Sequence, residues 1–403
     1  MDRLIIAVYL DLEYQPNVGG IHSYTNRLVE MIDSFEFDKK IEVIYLSKRR
    51  LETNLFKKQS LYIPETEFRL KQWTLKRKLL NKIFSFNVLR NFNIHSKIQS
   101  EIERIVSKNI SSFLSDSNVD IVYYLAPNLY PLNYAFIATH WDIGHKNMFV
   151  CQKIFNNASY EKWDYYHRIV LNQAFAIFVE SEQSKKELIE IASIYKRKMM
   201  VLPLFPGKVV ELNLDKDEQQ FILNKWGLSK NSFYFYPAQF WPLKNHYGLI
   251  MAFKKVLEIY PDVKLVLSGS DKGNLSYIKS IVIREALETK VIFTGFVSND
   301  EIYTFYKNAI ALVFTAFLGP TNMPLLEANY LGCPVICTDL EGHKEQLKDN
   351  ALYFDTFNHT DIANKMIEVK GKREWNFLKD ENSTPSILNK HFLELYNVRK
   401  TFD

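Results

Sequence analysis

The sequence lacks most features that mark secreted, membrane-spanning or metal-binding proteins. Its 403 residues include three cysteines, Cys151, Cys333 and Cys337. An odd number, without the spacing of a disulfide framework or a zinc site, indicates a reducing compartment, and we expect the cytoplasm. The longest apolar run near the start, Leu4–Leu10, is followed directly by Asp11 and by no cleavage site. It is too short to span a membrane, so it predicts a first strand.

Two common ligand-binding patterns are missing as well. No G-x-G-x-x-G occurs, which weakens the case for a dinucleotide cofactor, and no His, Cys and Asp residues have the spacing of metal ligands. Residues 215–217 (DKD) resemble an acidic metal-binding pair. They lie at the start of a charged helix, so capping is the better interpretation. We therefore expect neither a cofactor nor a metal ion.

The small net charge of +5 conceals a strongly basic segment. Residues 39–108 hold 17 Lys and Arg against 6 Asp and Glu, and several apolar residues of 69–86 share one helical arc. Such a segment predicts attraction to an anionic membrane surface, with a merely solvated helical surface as the alternative. Nucleic acid is the least favoured partner, because no recognised nucleic-acid-binding module surrounds the charge.

Short apolar strands alternate with amphipathic helices along both halves of the chain. Strands are predicted at 4–10, 41–47, 119–126, 135–140, 176–181, 199–204, 233–238, 263–269, 291–297, 311–316, 333–338 and 351–354. Helices are predicted at 20–34, 160–174, 182–192, 245–260, 276–288, after the capping box Ser298–Glu301, and from about Ser386 to the end. This alternation predicts an α/β protein of two doubly wound parallel-sheet domains. We place them at 1–206 and 207–385, with 386–403 packing back on the first domain.

Residues 317–330, a loop and helix that follow a buried strand, contain a single carboxylate, Glu327. Ligands bind at the carboxyl ends of strands in such sheets. With Pro324 at the first helical position, the backbone amides of Thr321–Met323 point outward, where they suit an anion or sugar hydroxyls. Glu327, on the first turn, can accept two hydrogen bonds from a vicinal diol. A surface glutamate that compensates the helix dipole is the alternative.

Three other loops at this kind of edge carry candidate residues. Lys244 follows strand 233–238 and can neutralise a phosphate, although an exposed loop lysine is more often only solvated. Gly19 and Gly20 precede a helix and let the backbone approach a phosphate closely. His140 ends a buried strand, where a structural role is the alternative to a catalytic one.

Three ordered segments together resemble a known family. YPAQFWPLKNH (236–246), VIFTGFVSNDEIYTFYKNAIALVF (291–314) and GPTNMPLLEANYLGCPVICTD (319–339) resemble the retaining GT-B glycosyltransferases of the large family of bacterial mannosyl- and glucosyltransferases, family 4-like. GGIHSYTNRL, THWD and FVESEQSKKEL occur earlier in the family's order. The resemblance covers most of 1–370 and is strongest at 231–355.

The resemblance implies two Rossmann-like domains that face each other across a cleft, with a nucleotide-sugar on the C-terminal one and no metal ion. Lys244 matches the lysine that holds the diphosphate, and Glu327 the carboxylate that binds the ribose hydroxyls. His140 matches a histidine beside the transferred sugar, Gly19 and Gly20 the loop that closes on the phosphates. The remaining donor-binding positions by this match are Asn245, Val297, Thr321, Asn322 and Met323.

Two positions depart from the family's pattern. Gly319 stands where the family has a glutamate that contacts the donor sugar, and Gln239 where it has an arginine near the leaving group. The first leaves the identity of the sugar open, and the second removes one positive charge. Lys244 and the loop amides remain, so the resemblance still implies a transferase.

The expected function is therefore retaining, metal-independent transfer of a hexose from a nucleotide-diphosphate sugar to a hydroxyl of a growing glycan. The glycan would be a bacterial surface polysaccharide such as lipopolysaccharide O-antigen or capsule, free or lipid-linked, at the cytoplasmic face of the membrane. A nucleotide-sugar epimerase on the same fold is one alternative. A non-catalytic sugar-nucleotide-binding protein, whose site has decayed at Gly319 and Gln239, is the other.

Overall fold

The computed structural model describes residues 3–10, 20–48, 50, 55–63, 110–147, 159–371, 377 and 384–400. Gly19, Cys151 and residues 64–108 of the basic segment lie outside these ranges, so the predictions made on them stay predictions. Two sheets, one of seven strands and one of six, form two α/β domains in which every strand pair is parallel. The predicted fold class is confirmed.

The N-terminal sheet has the strand order β3-β2-β1-β4-β5-β6-β7. Strands β1, β2 and β4 to β6 are mostly apolar and buried because helices cover both faces of the sheet. The order reverses between β1 and β4, where Ile6 pairs with Ile121. The strands are β1 (Leu4–Leu10), β2 (Ile41–Ser47), β3 (Ser60–Tyr62), β4 (Ile121–Tyr124), β5 (Phe136–His140), β6 (Ala176–Val179) and β7 (Met199–Val201).

The C-terminal sheet has the order β10-β9-β8-β11-β12-β13. Its reversal lies between β8 and β11, where Ala311 pairs with Tyr234. The loops that carry Lys244 and Gly319 leave this central pair of strands. The strands are β8 (Phe233–Pro237), β9 (Lys264–Ser268), β10 (Val291–Gly295), β11 (Ala311–Phe314), β12 (Val335–Thr338) and β13 (Leu352–Phe354).

The described helices alternate with these strands and cover both sheets. In the first domain they are α1 (Gly20–Ser34), α2 (Gly144–Asn147), α3 (Ser159–Tyr165, continued by a π-helical turn at Tyr166–Val170 and by Leu171–Gln173) and α4 (Glu182–Ala192). In the second they are α5 (Lys216–Lys225), α6 (His246–Ile259), α7 (Leu275–Arg284), α8 (Asn299–Asn308), α9 (Met323–Tyr330), α10 (Glu341–Leu347) and α11 (His359–Gly371). A final helix, α12 (Thr384–Lys400), ends the described chain.

Helix α12 returns to the N-terminal domain. Its Leu388 and Phe392 are completely buried in a core that also holds Tyr123 and Phe178. His391 Nε2 contacts the carbonyl of Val201 at 2.9 Å. The chain therefore crosses between the domains twice, once through the linker after β7 and once before α12. Within the described residues no helix is both long and apolar enough to cross a bilayer.

Local capping signals were predicted correctly from sequence. Ser298 and Glu301 form the capping box of α8, with both reciprocal hydrogen bonds present. Asp215, the first residue of the DKD stretch, caps α5 by accepting from the amides of Asp217 and Glu218 at 2.9 Å each. Capping rather than metal binding thus accounts for this acidic residue. Helix α5 begins at Lys216, so the linker between the domains ends at the capping residue Asp215.

Candidate active site between the domains

The cleft brings together loops at the carboxyl ends of strands from both sheets. On the C-terminal side lie the 3-10 turn Pro242–Lys244 after β8 and residues 317–322 after β11. On the N-terminal side lie Asp142, after β5, and Glu180, after β6. The hydroxyl of Thr321 donates a hydrogen bond to the carboxyl of Glu180, so the two loop sets are in direct contact.

Lys244 stands at the end of its turn because the next residue reverses the backbone. Asn245 has φ of 50°, a left-handed conformation that asparagine tolerates, and its side chain caps α6 by accepting from Gly248 N at 3.0 Å. The same side chain donates to the carbonyl of Thr356 at 3.1 Å. The predicted donor-binding role of Asn245 is therefore indirect in this structure: it holds the backbone from which Lys244 projects.

The side chain of Lys244 is half-buried and points at the loop after β11. Its Nζ lies 3.5 Å from Asn322 Oδ1 and 5.2 Å from the centroid of the Phe314 ring. Burial lowers the pKa of Lys244 to about 8, and the negative charge of Asp142 opposes this effect. Among the described residues, Lys244 forms no ion pair at salt-bridge distance. A half-buried cation of this kind is a site for an anion.

The amides of Thr321–Met323, in the loop after β11, were all predicted to face a ligand, but one of them is hydrogen-bonded within the protein. The amide of Asn322 donates to Gln346 Oε1 at 3.1 Å, and Gln346 Nε2 donates back to the carbonyl of Asn322 at 3.0 Å. A side chain of α10 thus occupies that amide, which the sequence could not show. The amides of Thr321 and Met323 remain the candidates for a bound anion at the start of α9.

Gly319 has φ of +111°, a region that only glycine adopts without strain. A methyl group there would lie 3.1 Å from the Asn322 side chain. Gly342 of α10 is required for packing, since a methyl group on it would overlap the carbonyl of Pro320 at 1.8 Å. Gly342 therefore lets α10 and the loop approach each other closely, and Gly319 leaves room for the side chain of Asn322.

Helix α9 begins at Met323, one residue earlier than predicted, so Glu327 is its fifth residue and lies just past the first turn. Its Oε1 accepts from the amide of Gly207 at 3.2 Å and its Oε2 from the hydroxyl of Tyr306 at 3.1 Å. Burial raises the pKa of Glu327 to about 7, although both hydrogen bonds favour the ionised form. The alternative of a surface glutamate is wrong. Gly207 belongs to the linker, so Glu327 lies where the two domains join.

His140 lies deeper than its predicted role requires. The residue is 1% exposed, and its ring meets His167 edge-on at 5.2 Å between centroids. Asp142, two residues further on, is the exposed side chain of this strand end, and it accepts from Gly144 N at 2.8 Å. Its charge acts on Lys244 across the cleft. The sequence contained Asp142 within the motif THWD, but gave it no role.

Glu180 and Glu345 are two further residues that sequence reasoning missed. Burial raises the pKa of Glu180 to about 8, the hydrogen bond from Thr321 opposes this effect and the charge of Asp142 adds to it, which favours the protonated carboxyl at neutral pH. Glu345 of α10 accepts from the amides of Glu182 and Gln183 at 2.8 and 3.0 Å. A carboxylate of one domain therefore caps α4 of the other.

The remaining predicted positions lie at the margins of the site. Gln239 follows β8 and its Oε1 accepts from the indole of Trp241 at 3.1 Å. Val297 is half-buried after β10, the edge strand of the C-terminal sheet. Gly20 is the exposed first residue of α1, where a methyl group would meet no atom of the described residues within 4 Å. Packing against the described part of the chain therefore does not require glycine at position 20.

A cavity of about 450 Å³ opens at the carboxyl ends of β1 and β4, where the N-terminal strand order reverses. Tyr9, Tyr124 and Trp163 give it aromatic walls, and Asn26 and Asn128 supply amide groups. Its size and its mixture of apolar surface with few polar groups are typical of a small-molecule site.

Comparison with known proteins agrees with this geometry. Residues 218–377 match the family model described as "Glycosyl transferases group 1". The solved structure of WaaG, a glycosyltransferase involved in lipopolysaccharide biosynthesis, superimposes with a TM-score of 0.62 over 97% of this chain and 94% of WaaG, at 13% identity. The chain therefore has the GT-B fold of these glycosyltransferases.

Two curated relatives resemble a limited part of this GT-B chain. An uncharacterized glycosyltransferase of Methanocaldococcus jannaschii is 34% identical over 133 residues, which are 32% of this chain and 33% of that protein. The O-antigen chain mannosyltransferase B of Escherichia coli is 27% identical over 155 residues, 38% of this chain and 41% of that protein. The chain thus matches between a third and two fifths of the length of these relatives.

Proposed function

We propose that this GT-B chain transfers a hexose from a nucleotide-diphosphate sugar to a hydroxyl of a growing glycan, with retention of anomeric configuration. The observation that carries the proposal is the half-buried Lys244, which forms no ion pair with the described residues and faces the loop at the start of α9. Cleavage of the bond between sugar and diphosphate develops negative charge on the leaving phosphate. Lys244 and the amides of Thr321 and Met323 are placed to stabilise that charge.

The nucleoside would be held by Glu327. A ribose presents two neighbouring hydroxyls, and a carboxylate accepts a hydrogen bond from each of them. Glu327 already accepts two hydrogen bonds, from Gly207 and Tyr306. We infer that the ribose replaces the Gly207 contact, so that donor binding and the position of the linker are coupled.

The acceptor would bind on the N-terminal side of the cleft. The cavity at β1 and β4 offers aromatic rings for the apolar faces of a sugar and amides for its hydroxyls. The acceptor hydroxyl would attack from the same face as the leaving phosphate, and that phosphate would take its proton. No metal ion is part of this mechanism, since Lys244 and the amides supply the positive charge.

The acceptor class is a bacterial surface polysaccharide, such as O-antigen or capsule, at the cytoplasmic membrane face. The similarity to an O-antigen chain mannosyltransferase and the basic composition of 39–108 support this part of the proposal. The described beginning of that segment includes the exposed Lys48, Arg50 and Lys57. A lipid-linked acceptor would place the enzyme at such a surface.

The test has two stages. A thermal-shift panel of nucleotide-sugars identifies the donor, because a ligand at 100 times its Kd stabilises the folded state by about 2.7 kcal/mol. The stabilising donor is then incubated with and without glycan acceptors, and the products are analysed for anomeric configuration. Transfer with retention supports the proposal. Isomerisation of the donor alone indicates an epimerase, and binding without either reaction indicates a non-catalytic binding protein.

A further inference from the structure

The side chain of Asn322 does not do what its position in the helix predicts. Asn322 is the N-cap residue of α9, yet its side chain makes no capping hydrogen bond. The second helical residue, Pro324, has no amide to donate, which removes one of the two usual partners of an N-cap oxygen. The Asn322 amide group lies instead between His343 and Lys244.

His343 determines which way that amide group faces. Its ring is completely buried, and Nδ1 lies 2.9 Å from the carbonyl of Thr338, which can only accept. Burial and, to a smaller extent, the charge of Lys244 lower the pKa of His343 to about 4, although the carbonyls of Thr338 and Gly319 oppose this effect, so the ring is neutral at neutral pH. The single ring proton is therefore on Nδ1, and Nε2 presents a lone pair.

Only the nitrogen of the Asn322 amide suits that lone pair. Nδ2 lies 2.9 Å from His343 Nε2 and also donates to the carbonyl of Gly319 at 3.2 Å. The amide oxygen then faces Lys244 Nζ at 3.5 Å. A flipped amide would set its oxygen against two acceptors and its hydrogens against an ammonium group. The donors and acceptors of His343, Gly319 and Lys244 therefore permit only one orientation of the Asn322 amide.

We propose that Asn322 and His343 are positioning residues for Lys244: His343 orients the Asn322 amide, and the amide oxygen holds the lysine ammonium toward the bound diphosphate. This inference rests on the proposed function for the role of Lys244. The amide oxygen restrains the ammonium group without neutralising it, so its full positive charge stays available to the leaving phosphate. A carboxylate at position 322 would hold the lysine but would cancel that charge.

Helix α10 holds the whole arrangement in place. It carries His343, and its Gln346 binds both the amide and the carbonyl of Asn322. The absence of a side chain at Gly342 lets this helix contact the carbonyl of Pro320. The same helix carries Glu345, which caps α4 of the opposite domain. Helix α10 therefore both orients Lys244, through His343 and Asn322, and contacts the N-terminal domain.

The decisive variant is Asn322→Asp, which preserves the shape of the side chain and adds a charge. The titratable groups that act on Lys244 or lie beside it are the charged Asp142, from the N-terminal domain, and His246 and His343, whose rings are buried and neutral. A new carboxylate at hydrogen-bond distance should raise the pKa of Lys244 by about 1 unit or more. Titration of ¹³C-labelled lysine by NMR, with Lys244→Arg to assign the signal, measures this shift without any substrate.

Activity then tests the positioning role. In Asn322→Asp, the decrease of kcat on the alkaline side of its pH profile should occur at a higher pH than in the wild type. At pH 7 kcat itself should be lower by about tenfold or more, the scale for a weakened electrostatic donor. Asn358→Asp is the matched control, because it makes the same change at an exposed N-cap of the same domain. It should leave kcat and the lysine titration unchanged.

A double-mutant cycle separates positioning from simple stabilisation of the fold. If His343 acts through Asn322, then His343→Phe should lower kcat in the wild-type background and have no further effect once Asn322→Ala is present. His359→Phe, in α11, controls for the loss of a histidine. Melting temperatures identify variants that are unfolded, and Asn322→Asp remains informative if His343→Phe is one of them.

Two results would overturn the inference: a lysine pKa unchanged in Asn322→Asp, or effects of the two sites on kcat that simply add. A wild-type protein that transfers no sugar would instead refute the proposed function. The lysine titration would still test whether Asn322 holds Lys244, so the two failures are distinguishable.

Discussion

The buried carboxyl of Glu327 predicts that the stability of this protein falls as the pH rises toward neutrality. Burial raises its pKa in the folded state from 4.5 to about 7. Between these two values the folded protein keeps a proton that the unfolded chain has lost. The stabilising protonated form is therefore fully present below pH 4.5, and its contribution is lost as the pH rises through 7.

The size of the effect follows from the same two values. One pH unit corresponds to about 1.4 kcal/mol for a single group, so ionising Glu327 in the folded state costs about 3 kcal/mol. Glu327→Gln removes the titration and keeps the shape of the side chain. Its amide oxygen can still accept from Gly207 N, and its amide nitrogen can donate to the Tyr306 hydroxyl.

Denaturant unfolding at pH 5 and pH 8 measures this contribution directly. The wild type should lose about 2.5 kcal/mol more free energy of unfolding across this interval than Glu327→Gln does. Glu258→Gln, at an exposed carboxyl of α6, should behave as the wild type. Equal pH dependence in wild type and Glu327→Gln would show that Glu327 is not held in the buried environment described here.

The same carboxyl links the pH to donor binding. Ribose hydroxyls donate to the ionised form, so donor binding should release protons between pH 6 and 7. Calorimetry in two buffers with different ionisation enthalpies measures that release. Glu327→Gln should abolish it and weaken the donor, whereas a proton release unchanged in Glu327→Gln would place the titrating group elsewhere.

Four further outcomes are expected. Lys244→Ala should lower turnover about 100-fold or more, the scale for one lost electrostatic donor, and a strong chelator should have no effect; rescue by magnesium of a chelator-silenced enzyme would refute the metal-free mechanism. Gly319→Glu should reduce transfer about tenfold, because position 319 has φ of +111° and the new charge has no partner, whereas increased transfer would show that the pocket accepts a glutamate. Trp163→Ala should raise the KM for the acceptor and leave that for the donor unchanged; a change confined to the donor would move the acceptor out of the cavity at β1 and β4. Vesicle co-sedimentation should require anionic lipid and decrease with salt, as the composition of 39–108 implies, at about 1 kcal/mol per basic residue at the surface, and equal pelleting with neutral vesicles would contradict it.

Local sequence signals predicted the strands, most helices and the edge of the sheet at which ligands bind. Parallel strands are recognisable from sequence because both of their faces are buried, which gives apolar runs of four to seven residues bounded by turns. Helix α4 was predicted with its observed bounds, since Ser181 caps it and its apolar residues recur at helical spacing. Strand β3 was missed because a three-residue edge strand with one exposed and two half-buried residues carries no such pattern.

The candidate site was predicted only where a residue's role follows from its place on one loop. Lys244 is such a residue, because the loop after a central strand must open on the cleft. The depth of a side chain does not follow from its position in this way. His140 and Asp142 are two residues apart on the same strand end, yet the first is buried beside His167 and the second faces Lys244.

The sequence by itself therefore determined the two-domain α/β architecture, its capping boxes and the loops that could bind a nucleotide-sugar. The tertiary structure alone decided which residues meet: Thr321 with Glu180, Glu345 with the first turn of α4, and Glu327 with Gly207. These pairs lie more than a hundred residues apart along the chain. Hydrophobic periodicity reports which face of an element is buried, and it carries no information about which distant polar group that face will meet.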